Sequence, residues 1–198
     1  MTSSNKKTGH IIDLNSLPKK FPTHRQSADF WEHLGRVVAT FGFLEEILGK
    51  AIFAMTATTQ YSEENIREAS EKWRSKLEKA LVDPLGGLID TYGKAVRDNQ
   101  SKTISKEDLE SLLDDLRSAS QIRNVVCHGS WRTAGNPSIA RPFFVKRGME
   151  IFDSDIDLEF LSQTAKFAAE LACRVINTVT HMGYQFPGSN GLGDPIWK

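Results

Sequence analysis

From Ser27 to Met55 the chain carries one long helical stripe, and that stripe restricts what can be built around it. Phe30, Leu34, Val37, Val38, Phe41, Leu44, Leu48, Ile52 and Met55 fall mainly three or four residues apart. That spacing gathers side chains on one face of an α-helix. Ser27 is a suitable N-cap, because its hydroxyl can accept from a free N–H of the first turn. A helix this long and amphipathic must lay its apolar face against other elements along its whole length. Gly35, Gly42 and Gly49 recur every seven residues on a neighbouring stripe. Each weakens a helix interior by roughly 1 kcal/mol, so the spacing predicts a close approach of a second helix. The alternative is a kink near Gly42 that divides the helix in two.

Three further segments supply partners. A second helix follows the cap Ser62, with Ile66, Ala69, Trp73, Leu77 and Leu81 on one side, and stops at Pro84. Leu85 to Val96 is looser, with Gly86, Gly87 and Gly93, and holds at most a short helix through Leu88, Ile89 and Tyr92. A third helix starts at the cap Ser105, where Asp108 completes a capping-box-like pair. It buries Leu109, Leu112, Leu113 and Leu116 and ends at Gly129, the expected left-handed residue. Ala140 to Lys146 and Met149 to Asp153 then predict a β-hairpin turning at Arg147-Gly148. A fourth helix is capped by Asp157 and carries Leu161, Ala165, Ala168, Leu171, Val175 and Val179 to Gly183. The expected fold is mainly α: a helical bundle with a small β-hairpin between the last two long helices. Residues 1–26 read as a flexible N-terminal arm, 27–183 as the domain with its hairpin at about 140–153, and 184–198 as a C-terminal tail.

The bulk numbers narrow the function classes. Equal counts of 25 basic and 25 acidic residues give zero formal charge, so nucleic acid cannot be gripped by net charge and would need a local basic patch. Apolar residues at 39% and charged residues at 25% suit a globular chain. No apolar run reaches bilayer length, and Met1 to Lys20 lacks the apolar core of a signal peptide. No membrane association and a cytoplasmic location are therefore expected. Cys127 and Cys173 read as reduced, half-buried thiols without zinc spacing. No phosphate loop, dinucleotide fingerprint or nucleophile elbow is present. No metal and no cofactor is expected.

One run departs from this scaffold pattern: Arg123-Asn124-Val125-Val126-Cys127-His128. Stepping along the third helix, the stripe visits Leu109, Leu113, Leu116, Ser120, Arg123 and Cys127, apolar first and polar afterwards. Ala119, Ile122 and Val126 carry burial on another face. Asn124 and His128 lie one turn apart and can touch. A guanidinium on such a stripe needs water, an anion or a partner. Two readings are open for Arg123 and His128. They cap carbonyls or pair with acids such as Glu45 or Glu46, or they serve an anionic substrate. Arginine holds a phosphate through parallel donors, and histidine moves protons near neutral pH.

This run resembles the R-x4-6-H motif of HEPN domains, in its R-N-x-x-x-H form. The Phe41 to Glu46 segment is similar to the opening helix of such domains, and the resemblance covers residues 27–182. It implies an all-helical fold and a metal-independent endoribonuclease that cuts single-stranded RNA through attack of the ribose 2′-hydroxyl, in toxin or antiviral defence systems. Arg123 would stabilise the scissile phosphate, His128 would act as general base or acid, and Asn124 would orient one of them. Glu46 or Glu45 would support the basic pair. A homodimer that joins two motifs is implied, with an inhibitory protein partner left unknown. Ser130 stands where some members carry a modifiable tyrosine, which puts that regulation in doubt. Trp131 and Arg132, with Arg141, Lys146 and Arg147, offer a basic, aromatic-bearing surface for the substrate or an ordinary solvated hairpin beside a core tryptophan. The alternative function is a non-catalytic HEPN-like dimerisation or nucleotide/RNA-binding module; a more distant one is a helical regulator that takes a partner on the glycine stripe.

Overall fold

The stripe from Phe30 to Met55 forms a single helix, α1, over Ala28–Thr56, and the chain runs through Gly42 without a break. The structure is a computed structural model and describes residues 12–57, 65–99, 104–146 and 148–191. The Ser27 hydroxyl caps α1 by accepting from Phe30 N at 3.1 Å. Phe30, Val37, Phe41, Leu44, Leu48 and Ala51 are almost wholly buried, and α5 (Leu158–His181) covers much of that face. The α5 register follows the same logic. Leu161, Ala168, Leu171, Val175 and Val179 face inward, and Asp157 accepts from Phe160 N at 2.8 Å as the N-cap.

Helix α2 (Ile66–Val82) docks at the far end of α1, where the Trp73 indole N–H donates to Thr56 Oγ1 at 3.1 Å and its ring leans on Phe53. The expected cap Ser62 lies outside the described residues. The segment after Pro84 is a full helix, α3 (Leu85–Asp98), longer than the expected short helix through Leu88, Ile89 and Tyr92. Leu85, Leu88, Ile89, Tyr92 and Val96 form an i, i+3, i+4, i+7 face that is buried throughout. That burial outweighs its glycines. Gly93 also serves α3 directly: a Cβ there would lie 2.9 Å from a Leu113 methyl of α4 (Lys106–His128). A close helix approach at a glycine is thus made on α3, while on α1 Gly49 is buried. Gly35 and Gly42 of α1 have nothing within 4 Å of an added Cβ.

Ser105 caps α4 as expected, accepting from Asp108 N at 3.0 Å while its hydroxyl donates to the Asp108 carboxylate at 2.7 Å. The other end differs from expectation. Gly129 is extended, with φ −69° and ψ 141°, not left-handed. A glycine is needed there because a Cβ would sit 2.6 Å from Val125 O and 2.9 Å from Pro142. The chain therefore passes straight from α4 into strand β1 (Ser130–Thr133), which pairs antiparallel with β2 (Ala140–Phe143). This hairpin turns between Thr133 and Ala140; the chain also turns back where expected, with Met149 N donating to Lys146 O at 3.2 Å, although Arg147 itself lies outside the described residues. The expected second strand, Met149 to Asp153, does pair back on the chain before it, through the bridge Val145↔Ile151 with Phe152 N donating to Phe144 O at 2.8 Å and Lys146 N to Glu150 O at 2.7 Å, but forms no continuous strand.

Both flanks are tied to the bundle. Within the expected N-terminal arm, Leu14–Ser16 makes a 3-10 turn, Gln26 is buried and Thr23 O accepts from the Trp31 indole at 2.9 Å. In the expected tail, Phe186 is buried and the Tyr184 hydroxyl donates to Asn99. No described helix is long and apolar enough to cross a membrane.

Candidate functional site

The last turn of α4 lies against the middle of α1, and this brings Arg123 to Glu45. Leu116, Ala119, Val125 and Val126 carry the buried face of α4, with Ile122 partly buried. Arg123 sits at its border, its side chain 21% exposed. Glu45 sits at the matching border of α1, 29% exposed, between the buried Leu44 and Leu48 turns. Arg123 Nη2 lies 3.0 Å from Glu45 Oε1. That oxygen is buried and receives no aligned N–H, so the contact is ionic rather than a formed hydrogen bond. Glu46 turns outward and pairs with Lys50 at 2.6 Å. Of the two expected acids, only Glu45 meets the arginine.

The other arm of the guanidinium reaches the histidine. Arg123 Nη1 is 3.3 Å from His128 Nε2. A guanidinium only donates, so Nε2 is the acceptor in this contact and the ring proton sits on Nδ1. His128 is exposed at the helix end. The chain thus holds an acid, a cation and a titratable ring in sequence across two helices. The expected neighbour of the ring was Asn124. Instead Asn124 is half-buried and its side chain makes no hydrogen bond among the described residues. Arginine prevails because its longer stem reaches across the final turn.

Cys127 and Cys173 are both exposed rather than half-buried. Partial burial still pushes the Cys127 thiol above its ordinary value, with Arg123 pulling it down and Glu45 pushing it up. Trp131 belongs to the core side of the hairpin. Its ring meets Phe30 edge-on at 5.5 Å, and it pairs across the strands with the buried Pro142. It is partly buried against the core. Arg132 points the other way, into solvent, 4.3 Å over the ring of Phe143. The alternation of strand side chains settles both positions, and a hairpin starting at residue 130 would have revealed them in the sequence.

Two surface clefts lie elsewhere. One, of about 370 Å³, is lined by Arg132, Arg141, Pro142, Phe143, Ile151, Phe152 and Asp153. The other, of about 340 Å³, lies between the start of α4 and the end of α5 and includes Asp108, Arg174 and His181. Among the described residues, no group of three or more His, Cys, Asp or Glu side chains is arranged to hold a metal ion. No protein-family model, curated protein or solved structure matches the chain.

Proposed function

We propose that this chain is a metal-independent, HEPN-type endoribonuclease acting on single-stranded RNA. The observation that carries the reading is the 3.3 Å contact between the Arg123 guanidinium and the exposed His128 ring. An incoming phosphate competes for the Arg123 donors and frees the Nε2 lone pair. His128 then takes the proton of the ribose 2′-hydroxyl. The 2′-oxygen attacks phosphorus, the bond to the 5′-oxygen breaks, and the leaving oxygen takes a proton from the His128 imidazolium, directly or through water, which returns the ring to its neutral form. Arg123 stabilises the charge gathering on the non-bridging oxygens. Glu45 holds the guanidinium in place, and Asn124 has a free amide for the phosphate. The products are a 2′,3′-cyclic phosphate and a 5′-hydroxyl. In this reading the chain works in the cytoplasm as a homodimer in a toxin or defence system, with a protein inhibitor as a further partner.

The test uses labelled single-stranded RNA with a chelator present. Wild type is expected to release cyclic-phosphate ends, and His128→Ala to lose activity by about 10²-fold or more. Equal cleavage by the two proteins removes the catalytic assignment. A second reading has its own observation. Glu45 already compensates Arg123 within one chain, as a purely structural α1–α4 link would require. On that reading Arg123→Ala lowers the melting temperature and there is no cleavage to lose.

A further inference from the structure

The outer face of the hairpin carries one cation, Arg132, that makes no ion pair among the described residues. Strand alternation puts Ser130, Arg132, Arg141 and Phe143 on one exposed face, with Ser130 opposite Phe143 and Arg132 opposite Arg141. Two arginines directly opposite each other repel unless something compensates them. Arg141 is compensated, because Asp155 lies at 2.7 Å and Asp153 at 3.6 Å. Its hydrogen bond holds the Asp155 carboxyl below the usual carboxylate range. Arg132 has no such partner and makes no ion pair among the described residues. It lies over the Phe143 ring at 4.3 Å. Lys146 also makes no ion pair there and lies over the Phe152 ring at 5.9 Å.

Phe143 and Phe152 line the 370 Å³ cleft together with Ile151, which is 58% exposed. The cleft therefore has an apolar, aromatic floor and, in Arg132, a lining cation that makes no ion pair among the described residues. Its one lining carboxylate, Asp153, is held by Arg141. A cleft of this size falls within the range of small-ligand sites. Its chemistry asks for a flat, π-faced group joined to negative charge. It is also next to the motif. Ser130, the cross-strand partner of Phe143, is two residues past His128, which keeps their Cα atoms within about 7 Å.

We propose that the cleft at Arg132, Phe143 and Phe152 binds one nucleotide of single-stranded RNA, with its base on the Phe143 ring and a flanking phosphate on Arg132. This rests on the ribonuclease reading, for which it supplies a subsite beside the scissile phosphate. Trp131, turned into the core, takes no part.

The probe is 5′-fluorescein octa-adenylate RNA, titrated by anisotropy against the full chain carrying His128→Ala so that the RNA survives. Arg132→Ala is expected to weaken binding about tenfold and to reduce the slope of log Kd against log salt by about 0.7, the effect of one phosphate contact on a single strand. Phe143→Ala and the better-packed Phe143→Leu should each weaken binding about tenfold with the slope unchanged, since stacking releases no counterion. Lys166→Ala, which removes an exposed cation from α5, should change neither quantity. Binding within about twofold of the parent in both Arg132→Ala and Phe143→Leu overturns the subsite, while cleavage by the wild type keeps the nuclease reading. RNA held through Arg132 and Phe143 but never cut by the wild type supports the subsite and removes the nuclease. No binding of the probe overturns the subsite. An oligo-glutamate peptide that competes as well as unlabelled octa-adenylate also overturns it, because the cleft would then select charge alone.

Discussion

At the scale of single residues, the site depends on what a half-buried arginine does with its donors. Arg123 gives one terminal nitrogen to Glu45 and the other to His128. The Glu45 contact has burial in its favour and misalignment against it, so a modest coupling is expected. A double-mutant cycle on Glu45→Gln and Arg123→Gln should return about 1 kcal/mol, at the upper end of the range for partly exposed pairs. A value near zero would mean that the two groups are neighbours without energetic consequence. Cys127 reports on the same charges. Burial raises its thiol above the ordinary range, opposed by Arg123 and assisted by Glu45. In a Cys173→Ser background, the alkylation rate should rise with pH to a midpoint above that of a free thiol. Glu45→Gln should move that midpoint down and Arg123→Gln should move it up. The reverse order would show that Cys127 does not sense the pair. The sequence made Arg123, His128 and the need for an acid readable, because a cation on an otherwise apolar stripe demands a partner. It could not choose between Glu45 and Glu46. Adjacent helix positions differ by about a quarter turn, and only the docking angle of α4 on α1 decides which one faces inward.

At the scale of elements, periodicity was legible wherever burial was one-sided, and it misled wherever the local signal had a second use. The long stripes of α1, α4 and α5, with the caps Ser27, Ser105 and Asp157, stand in the structure as their spacing indicates. The glycines of α3 suggested a looser segment with only a short helix, yet Gly93 is there because Leu113 needs the space. The strand β1, ahead of the expected pairing over residues 140–153, was missed for a related reason. Gly129 suggested a left-handed stop, but it instead admits Pro142 and lets β1 begin at once. Two glycine substitutions separate these uses. Gly42→Ala places a methyl where nothing lies within 4 Å. Gaining up to about 1 kcal/mol of helix propensity, it should raise the melting temperature by about 2–4 °C. Gly93→Ala gains the same propensity but drives a Cβ to 2.9 Å and 3.1 Å from the two methyls of the fully buried Leu113. Overpacking costs about 1–3 kcal/mol, so the net change should be a loss. Thermal melts by circular dichroism decide both. A loss at Gly42 would show that a second surface, such as a symmetry mate, covers the α1 stripe.

Across the whole molecule, the motif-bearing helix is also the one that charge pairs tie to its neighbours. Arg97 of α3 reaches Glu110 of α4 at 2.6 Å, Arg174 of α5 reaches Asp115 at 2.6 Å, and Glu45 of α1 reaches Arg123 at 3.0 Å. These links run from the start of α4 to its end, so its placement against three helices responds to carboxylate protonation. Glu110 gives the clearest sign, since its hydrogen bond from Arg97 holds the carboxyl below the usual range. A carboxyl depressed in the folded state binds its proton more readily when unfolded. Its contribution to stability is therefore complete above the unfolded pKa of about 4.3 and disappears as pH falls through the lower folded value. Melting temperature should stay level from about pH 7 to pH 5 and then fall. Glu110→Gln removes the titrating group, so it should melt about 1–2 °C below the wild type at neutral pH, as suits an exposed pair. The two proteins should converge near pH 3, where the wild-type carboxyl has also lost its charge. A gap that persists unchanged into acid would mean that Glu110 acts on stability through packing or helix propensity, and that charge does not fasten this end of α4.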